Sequence, residues 1–215
     1  MIAAVVFDLD GVLLQSEEVW DEVREEYVRE LGGRYDAGIQ RAMMGMSSSE
    51  WSRFLHDEAG IADDPKEINT EVVRRMLAAY RDHLPLVPGA VDAVRALADR
   101  FPLALASSSN RELIDTVLDV AGLTPSFAAT VSSEEVAHGK PAPDVYLEAA
   151  RRLGVAADRC TAVEDSHGGI RSASSAGMRV IAVPNPSYPP DEEALALADV
   201  TLRSLDELTP DVVSA

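Results

Sequence analysis

The sequence predicts a doubly wound α/β fold that carries a helical insert, on three observations. From Pro88 onward, short apolar runs alternate with stretches of about 10–12 residues at helical spacing, the pattern of a parallel sheet with crossover helices. The chain opens on another such run, residues 2–7, IAAVVF, which is apolar without alternation, as in a strand buried on both faces. Between these, from about Glu17 to Arg81, the sequence reads as helices separated by Gly and Ser, with no strand. The expected architecture is a Rossmann-like parallel sheet core from residues 1–14 and 86–215, with an inserted helical cap domain at 15–85. The hinges would be Leu14-Gln15-Ser16 and Leu84-Pro85-Leu86.

Each element has its own signal. The insert starts with EEVWDEVREEYVRELGG and includes a helix from Pro65 to Tyr80. Within it, the acid-rich stretch DEVREEYVRE reads as a solvated face. Trp20, Met43, Met44, Met46 and Trp51 are expected in the insert's interior or at its contact with the core. Pro88-Gly89 breaks the chain before the helix AVDAVRALADR. The run LALA (103–106) is a strand, followed by a helix from Asn110 to Ala121 that Gly122 stops. ATVSS (129–133) is the next strand, and PDVYLEAARRLG the next helix, with Pro143 in its first turn and Gly154 at its end. CTAV (160–163), a small-residue helix from Ser166 to Ala176, and RVIAV (179–183) complete the pattern.

Composition narrows the function. The 215 residues suffice for one core plus an insert, and 47% hydrophobic with 26% charged residues excludes a disordered chain. The net charge of −18, from 37 acids against 19 bases, argues against binding nucleic acid, which needs a basic footprint. The single cysteine, Cys160, cannot form an internal disulfide and is expected to pack in a strand, so a reducing compartment is expected. No apolar run reaches the ~18 residues of a membrane span, and the N-terminus turns acidic too early for a secretory signal. A cytoplasmic protein follows, with a monomer as the default.

In open α/β sheets ligands bind beyond the carboxyl ends of the strands. After the first run come Asp8 and Asp10, followed by Gly11; after LALA come Ser107, Ser108 and Ser109; after ATVSS comes a loop with Lys140; after CTAV come Glu164 and Asp165. Two carboxylates about 5 Å apart repel by roughly 3 kcal/mol at an effective dielectric near 20, so four at one rim call for a cation. All candidate ligands are oxygens, which disfavours zinc and favours Mg²⁺ shared with a substrate phosphate. Ser107, nearby backbone N–H groups and Lys140 supply donors to that phosphate. Lys140 is one of only two lysines in a chain that otherwise uses arginine, which points to a need for a compact ammonium. An aspartate can attack phosphorus directly, and a neighbouring carboxyl raised in pKa can act as general acid.

The blander readings are helix capping for Ser107, Glu164 and Asp165, a helix-start role for Ser108 and Ser109, and a solvated surface for Lys140, His138 and His167.

The four segments FDLDGVL (7–13), SSS (107–109), GKPAPD (139–144) and VEDSHGGI (163–170) together resemble the haloacid dehalogenase superfamily, in the helical-cap branch that holds beta-phosphoglucomutases, phosphoglycolate phosphatases and sugar-phosphate phosphatases. The resemblance implies that Asp8 is nucleophile and metal ligand. It makes Asp10 the general acid/base, with its carbonyl oxygen on the metal. It assigns Ser107, Ser108 and Lys140 to the phosphoryl group, and Asp165 with Glu164 to completing the Mg²⁺ site. In the cap, Trp20 stands where the mutases carry a histidine, and Ser48 near where they carry an arginine for a second phosphate. Both are candidate substrate contacts, and both departures favour hydrolysis over the mutase alternative. The implied activity is a Mg²⁺-dependent phosphatase acting on a small phosphorylated metabolite, a sugar or polyol phosphate, through an aspartyl-phosphate. A non-catalytic phosphometabolite-binding regulator is the remaining alternative.

Overall fold

The computed structural model describes residues 1–43 and 46–215; Met44, expected in the insert's interior, lies outside them. Six parallel strands form one sheet: β1 Ala4–Phe7, β2 Leu103–Ser107, β3 Ala129–Ser132, β4 Cys160–Glu164, β5 Arg179–Ala182 and β6 Val200–Thr201. Their order across the sheet is β3-β2-β1-β4-β5-β6. The chain steps outward from β1 to β2 and β3, then returns to the other side of β1. The strand order therefore reverses between β1 and β4, where such sheets open a crevice beyond the strand ends.

Alternation along the strands sorts the core into two apolar layers. Val5, Phe7, Leu103, Leu105 and Val163 face one side, with α5 (Ala90–Ala98) and α6 (Arg111–Val120) packed there. Ala4, Val6, Ala104, Ala106 and Ala162 face the other, under α7 (Asp144–Leu153) and α8 (His167–Ser175). Each fully buried Leu, Ile or Phe contributes roughly 1.5–3 kcal/mol, and the alanines of the second layer let helices approach closely.

The expected elements are present, with shifted ends. Strands β2 and β4 each run one residue further than their apolar runs, because Ser107 pairs with Ser132 and Glu164 with Ala182. Both polar side chains are satisfied locally: Ser109 N–H donates to Ser107 Oγ, and Asp165 N–H to Glu164 Oε2. β3 stops at Ser132 rather than Ser133, where a 3₁₀ turn begins. The two-residue strand β6 has no apolar run to announce it and exists through its pairing with β5.

Between β1 and β2 lie α1 (Glu17–Glu30), α2 (Ala37–Met43), α3 (Ser48–Ala59) and α4 (Pro65–Asp82). Their buried side chains, Val28, Leu55, Ile68, Val72 and Met76 among them, continue the first apolar layer. The stretch DEVREEYVRE is only partly a solvated face: Val23, Arg24, Tyr27 and Val28 are buried. The two connectors run side by side, with a bridge between Leu14 and Leu86 and Gln15 N–H donating to the Pro85 carbonyl at 2.8 Å. Among the described residues no helix is long and apolar enough to cross a membrane.

Candidate active site

The register Phe7↔Val163 sets the carboxyl ends of β1 and β4 beside each other, and the residues that follow, Asp8 and Glu164–Asp165, meet there. Lys140, on the loop after β3, closes the group: Nζ donates to Asp8 Oδ1 at 2.7 Å and to Glu164 Oε1 at 2.6 Å. Glu164 is fully buried. Its Oε1 also accepts from Tyr146 Oη at 2.6 Å, and its Oε2 accepts from the main-chain N–H groups of Asp165 and Ser166 and from Ser166 Oγ. Room for that carboxylate exists because residue 169 is glycine; a Cβ there would lie 1.8 Å from Glu164 Oε1.

Three buried carboxylates with one ammonium leave excess negative charge. Burial pushes the Asp8 carboxyl up to about 8, and Glu164 and Asp10 add to the rise against the opposing pull of Lys140. Asp165 is raised by burial, then by Glu164 and Asp8. For Lys140 burial alone would lower the pKa, but Asp8 and Glu164 outweigh it and keep the group protonated.

Asp10 sits in different surroundings. Ser109 Oγ donates to its Oδ2 at 2.7 Å, Trp20 Nε1–H approaches Oδ1 at 3.4 Å, and Ser107 Oγ reaches only 3.5 Å. Ser109 is itself fixed, its N–H on Ser107 Oγ and its carbonyl accepting from Ser132 Oγ. Sequence reasoning put Ser109 at the start of the helix. Asn110 takes the N-cap position instead, which frees the Ser109 hydroxyl for Asp10. Replacing Ser109 by Ala is expected to lower kcat about tenfold with little change in KM, because the acid/base that the sequence resemblance implies at Asp10 would be loosely held and misaligned more of the time. Steady-state kinetics check this, and a KM effect without a kcat effect would count against the role.

The group can hold a cation. One carboxylate oxygen from each of Asp8, Glu164 and Asp165 lies within 4.8 Å of the others. Asp165 Oδ1 is buried without a hydrogen-bond partner among the described residues. Gly11 makes room for Asp165: its φ is +85°, and a Cβ would stand 1.9 Å from Asp165 Oδ2. An all-oxygen set with an orphaned carboxylate oxygen suits a hard divalent cation.

A cavity of about 370 Å³ opens over these groups, lined by Asp8, Asp10, Glu17, Ser108, Lys140 and Asp165 among others. Of the serines expected at the phosphate, Ser108 lines the cavity, while Ser107 is fully buried and holds the loop. Trp20, the other expected substrate contact, reaches Asp10. Ser48 does not reach the cavity. The capping box of Ser47 and Glu50 starts α3 so that Ser48 faces Glu134, at 3.5 Å, in a neighbouring cavity of about 520 Å³ with none of the site carboxylates in its wall. His138 sits on Asp144 at the surface, and His167 lines the 370 Å³ cavity over the carboxylates. Cys160 is buried in β4 as expected.

A family model for haloacid dehalogenase-like hydrolases matches residues 2–177, a span that contains every group described above. The chain is a haloacid dehalogenase-like hydrolase. Among curated relatives of this hydrolase, Hexitol phosphatase B of Escherichia coli (strain K12) is 33% identical over 97% of this chain and 95% of that protein. Fructose-1-phosphate phosphatase YqaB of the same strain is 34% identical over 84% and 96%. Among solved structures, CbbY from Rhodobacter sphaeroides in complex with phosphate superposes on the hydrolase with a TM-score of 0.88 at 28% identity, covering all of both chains.

Proposed function

We infer that the protein is a Mg²⁺-dependent phosphatase of small sugar or polyol phosphates, working through an aspartyl-phosphate. The observation that carries this reading is the separation of two aspartates only two residues apart: Asp8 against Lys140, and Asp10 against the neutral donors Ser109 and Trp20. One environment suits a nucleophile, the other a proton carrier. Curated relatives named for hexitol and fructose-1-phosphate hydrolysis support the substrate class.

Asp8 Oδ1 is occupied by Lys140, so Oδ2 is the attacking oxygen. The Oδ2–P bond forms as the ester P–O bond breaks in line, and Asp10 gives its proton to the departing oxygen. Asp10 then takes a proton from water, whose oxygen attacks phosphorus, releasing inorganic phosphate and restoring Asp8. Lys140 and the N–H groups around Ser108 meet the charge on the phosphoryl oxygens. Mg²⁺ would be held by Asp8, Asp165 and the Asp10 carbonyl, adding positive charge against the same oxygens. Glu164 stands beside that set, but with five hydrogen bonds already on its oxygens it serves chiefly to hold Lys140. On this reading residues 15–85 are the cap that covers the cavity and selects the leaving group.

Phosphate release from a panel of sugar and polyol phosphates tests the reading, with Mg²⁺ and with a chelator in its place. Release that requires Mg²⁺ is expected; no release from any ester with Mg²⁺ present would overturn it. The raised Asp8 pKa adds a pH signature. Because Asp8 binds its proton more tightly folded than unfolded, the metal-free fold gains stability that is complete below about pH 4 and lost as pH climbs to about 8. Mg²⁺ competes with that proton, so the rise in melting temperature on adding it should be larger near pH 8.5 than near pH 6. Thermal melts in the two buffers read the difference.

A further inference from the structure

We propose that Arg24 forms an oxyanion-binding subsite for the end of the substrate remote from the reacting phosphate, so that the preferred ester carries a second negative group, a carboxylate or another phosphate. This rests on the phosphatase reading and narrows its substrate class.

Arg24 lies on α1 and is 9% exposed. Its guanidinium packs 4.5 Å from the ring centre of Trp20 and 4.9 Å from that of Trp51. Those contacts offset part of its charge but accept none of its five N–H donors. Among the described residues it forms no ion pair and no hydrogen bond, and Nε is buried without an acceptor. A buried guanidinium with idle donors is costly unless something fills them.

The side chain lines a small cavity of about 70 Å³ together with Asp10, Glu17, Trp20, Trp51 and Ser108. Asp10, Glu17 and Ser108 also line the larger cavity that holds Asp8 and Lys140. The two spaces thus share wall residues beside the reacting groups, with Lys140 in the wall of one and Arg24 in the wall of the other. The smaller space has room for roughly two waters, which suits an end group rather than a sugar ring. Asp10 and Glu17 border it but stand outside ion-pair contact with Arg24, and Asp21 is engaged by Tyr35 Oη at 2.8 Å. A planar fork of donors matches the two oxygens of a carboxylate or phosphate better than a single hydroxyl.

Competition against hydrolysis of p-nitrophenyl phosphate by the Mg²⁺-loaded protein tests this with two matched pairs, 3-phosphoglycerate with glycerol 3-phosphate, and fructose 1,6-bisphosphate with fructose 1-phosphate. The doubly anionic member is expected to inhibit at least about tenfold more tightly in one or both pairs. A gain in the first pair assigns a carboxylate, and in the second a phosphate. Arg24→Gln should shrink the gain to under about threefold, whereas Arg24→Lys should keep part of it. Equal affinities within both pairs, or a preference that Arg24→Gln leaves intact, would overturn the inference. Should Arg24→Gln fail to fold, the wild-type ratios decide alone. If no ester is hydrolysed at all, the phosphatase reading fails, and calorimetric binding of the same four esters still reads the subsite.

Discussion

Asp8→Asn is expected to reduce phosphate release by about 10⁴-fold or more while the protein folds as before. The amide keeps the shape of the carboxylate but has no anionic oxygen to attack phosphorus, and removal of a nucleophile from a cooperating set costs losses of that order. The change also removes one carboxylate from a cluster with excess negative charge, so the melting temperature of the metal-free variant should hold or rise. Lys140 would keep its ion pair to Glu164. Two measurements check the result: steady-state phosphate release, and acid-quenched labelling of the chain with a ³²P ester, which should appear in the wild type and vanish in the variant. Activity within tenfold of wild type would remove Asp8 from the mechanism.

Lys140→Met is expected to damage both chemistry and fold. The ammonium is nearly buried and bridges two carboxylates, at 2.7 Å from Asp8 and 2.6 Å from Glu164. On the proposed mechanism, losing the charge that meets the phosphoryl oxygens lowers kcat by roughly 10²–10³-fold. Breaking a buried ion pair by removing one partner costs about 3–5 kcal/mol, because the remaining charge is left uncompensated. That cost depends on pH. With Asp8 already pushed up to about 8, acid supplies a proton where the lysine was, and the loss shrinks. Urea melts near pH 5.5 and pH 8.5 should therefore differ, with the greater destabilisation at the higher pH. Equal losses would mean that the pair contributes packing rather than charge.

Much of this site is legible in the sequence, for an identifiable reason. Asp8, Lys140 and Asp165 each follow an apolar run or a strand-end loop, and a parallel sheet brings such positions to one rim whatever the details of packing. Lys140 is marked further by the scarcity of lysine. Other contributors leave no local sign. Tyr146 occupies an ordinary buried position on α7, and only the fold places its hydroxyl on Glu164. Ser109 is one of three identical neighbours, and its role depends on which of them the helix uses as a cap. Arg24 lies in an acidic, amphipathic stretch, and its burial depends on Trp51, which arrives from a different helix. Ser48 shows the converse: it stands in the sequence near where the mutases carry an arginine for a second phosphate, and the capping box one residue earlier turns it away from the site. Positions fixed by topology can be read from the chain, whereas those fixed by tertiary packing cannot.

The bridge between Leu14 and Leu86 has an evolutionary corollary. Since the chain departs from the sheet and rejoins it at the same spot, the length of what lies in between imposes no strain on the strand order. That neck is a splice point. A longer, shorter or unrelated module grafted there would meet the same strand order, so the insert can be exchanged without rebuilding the sheet beneath it.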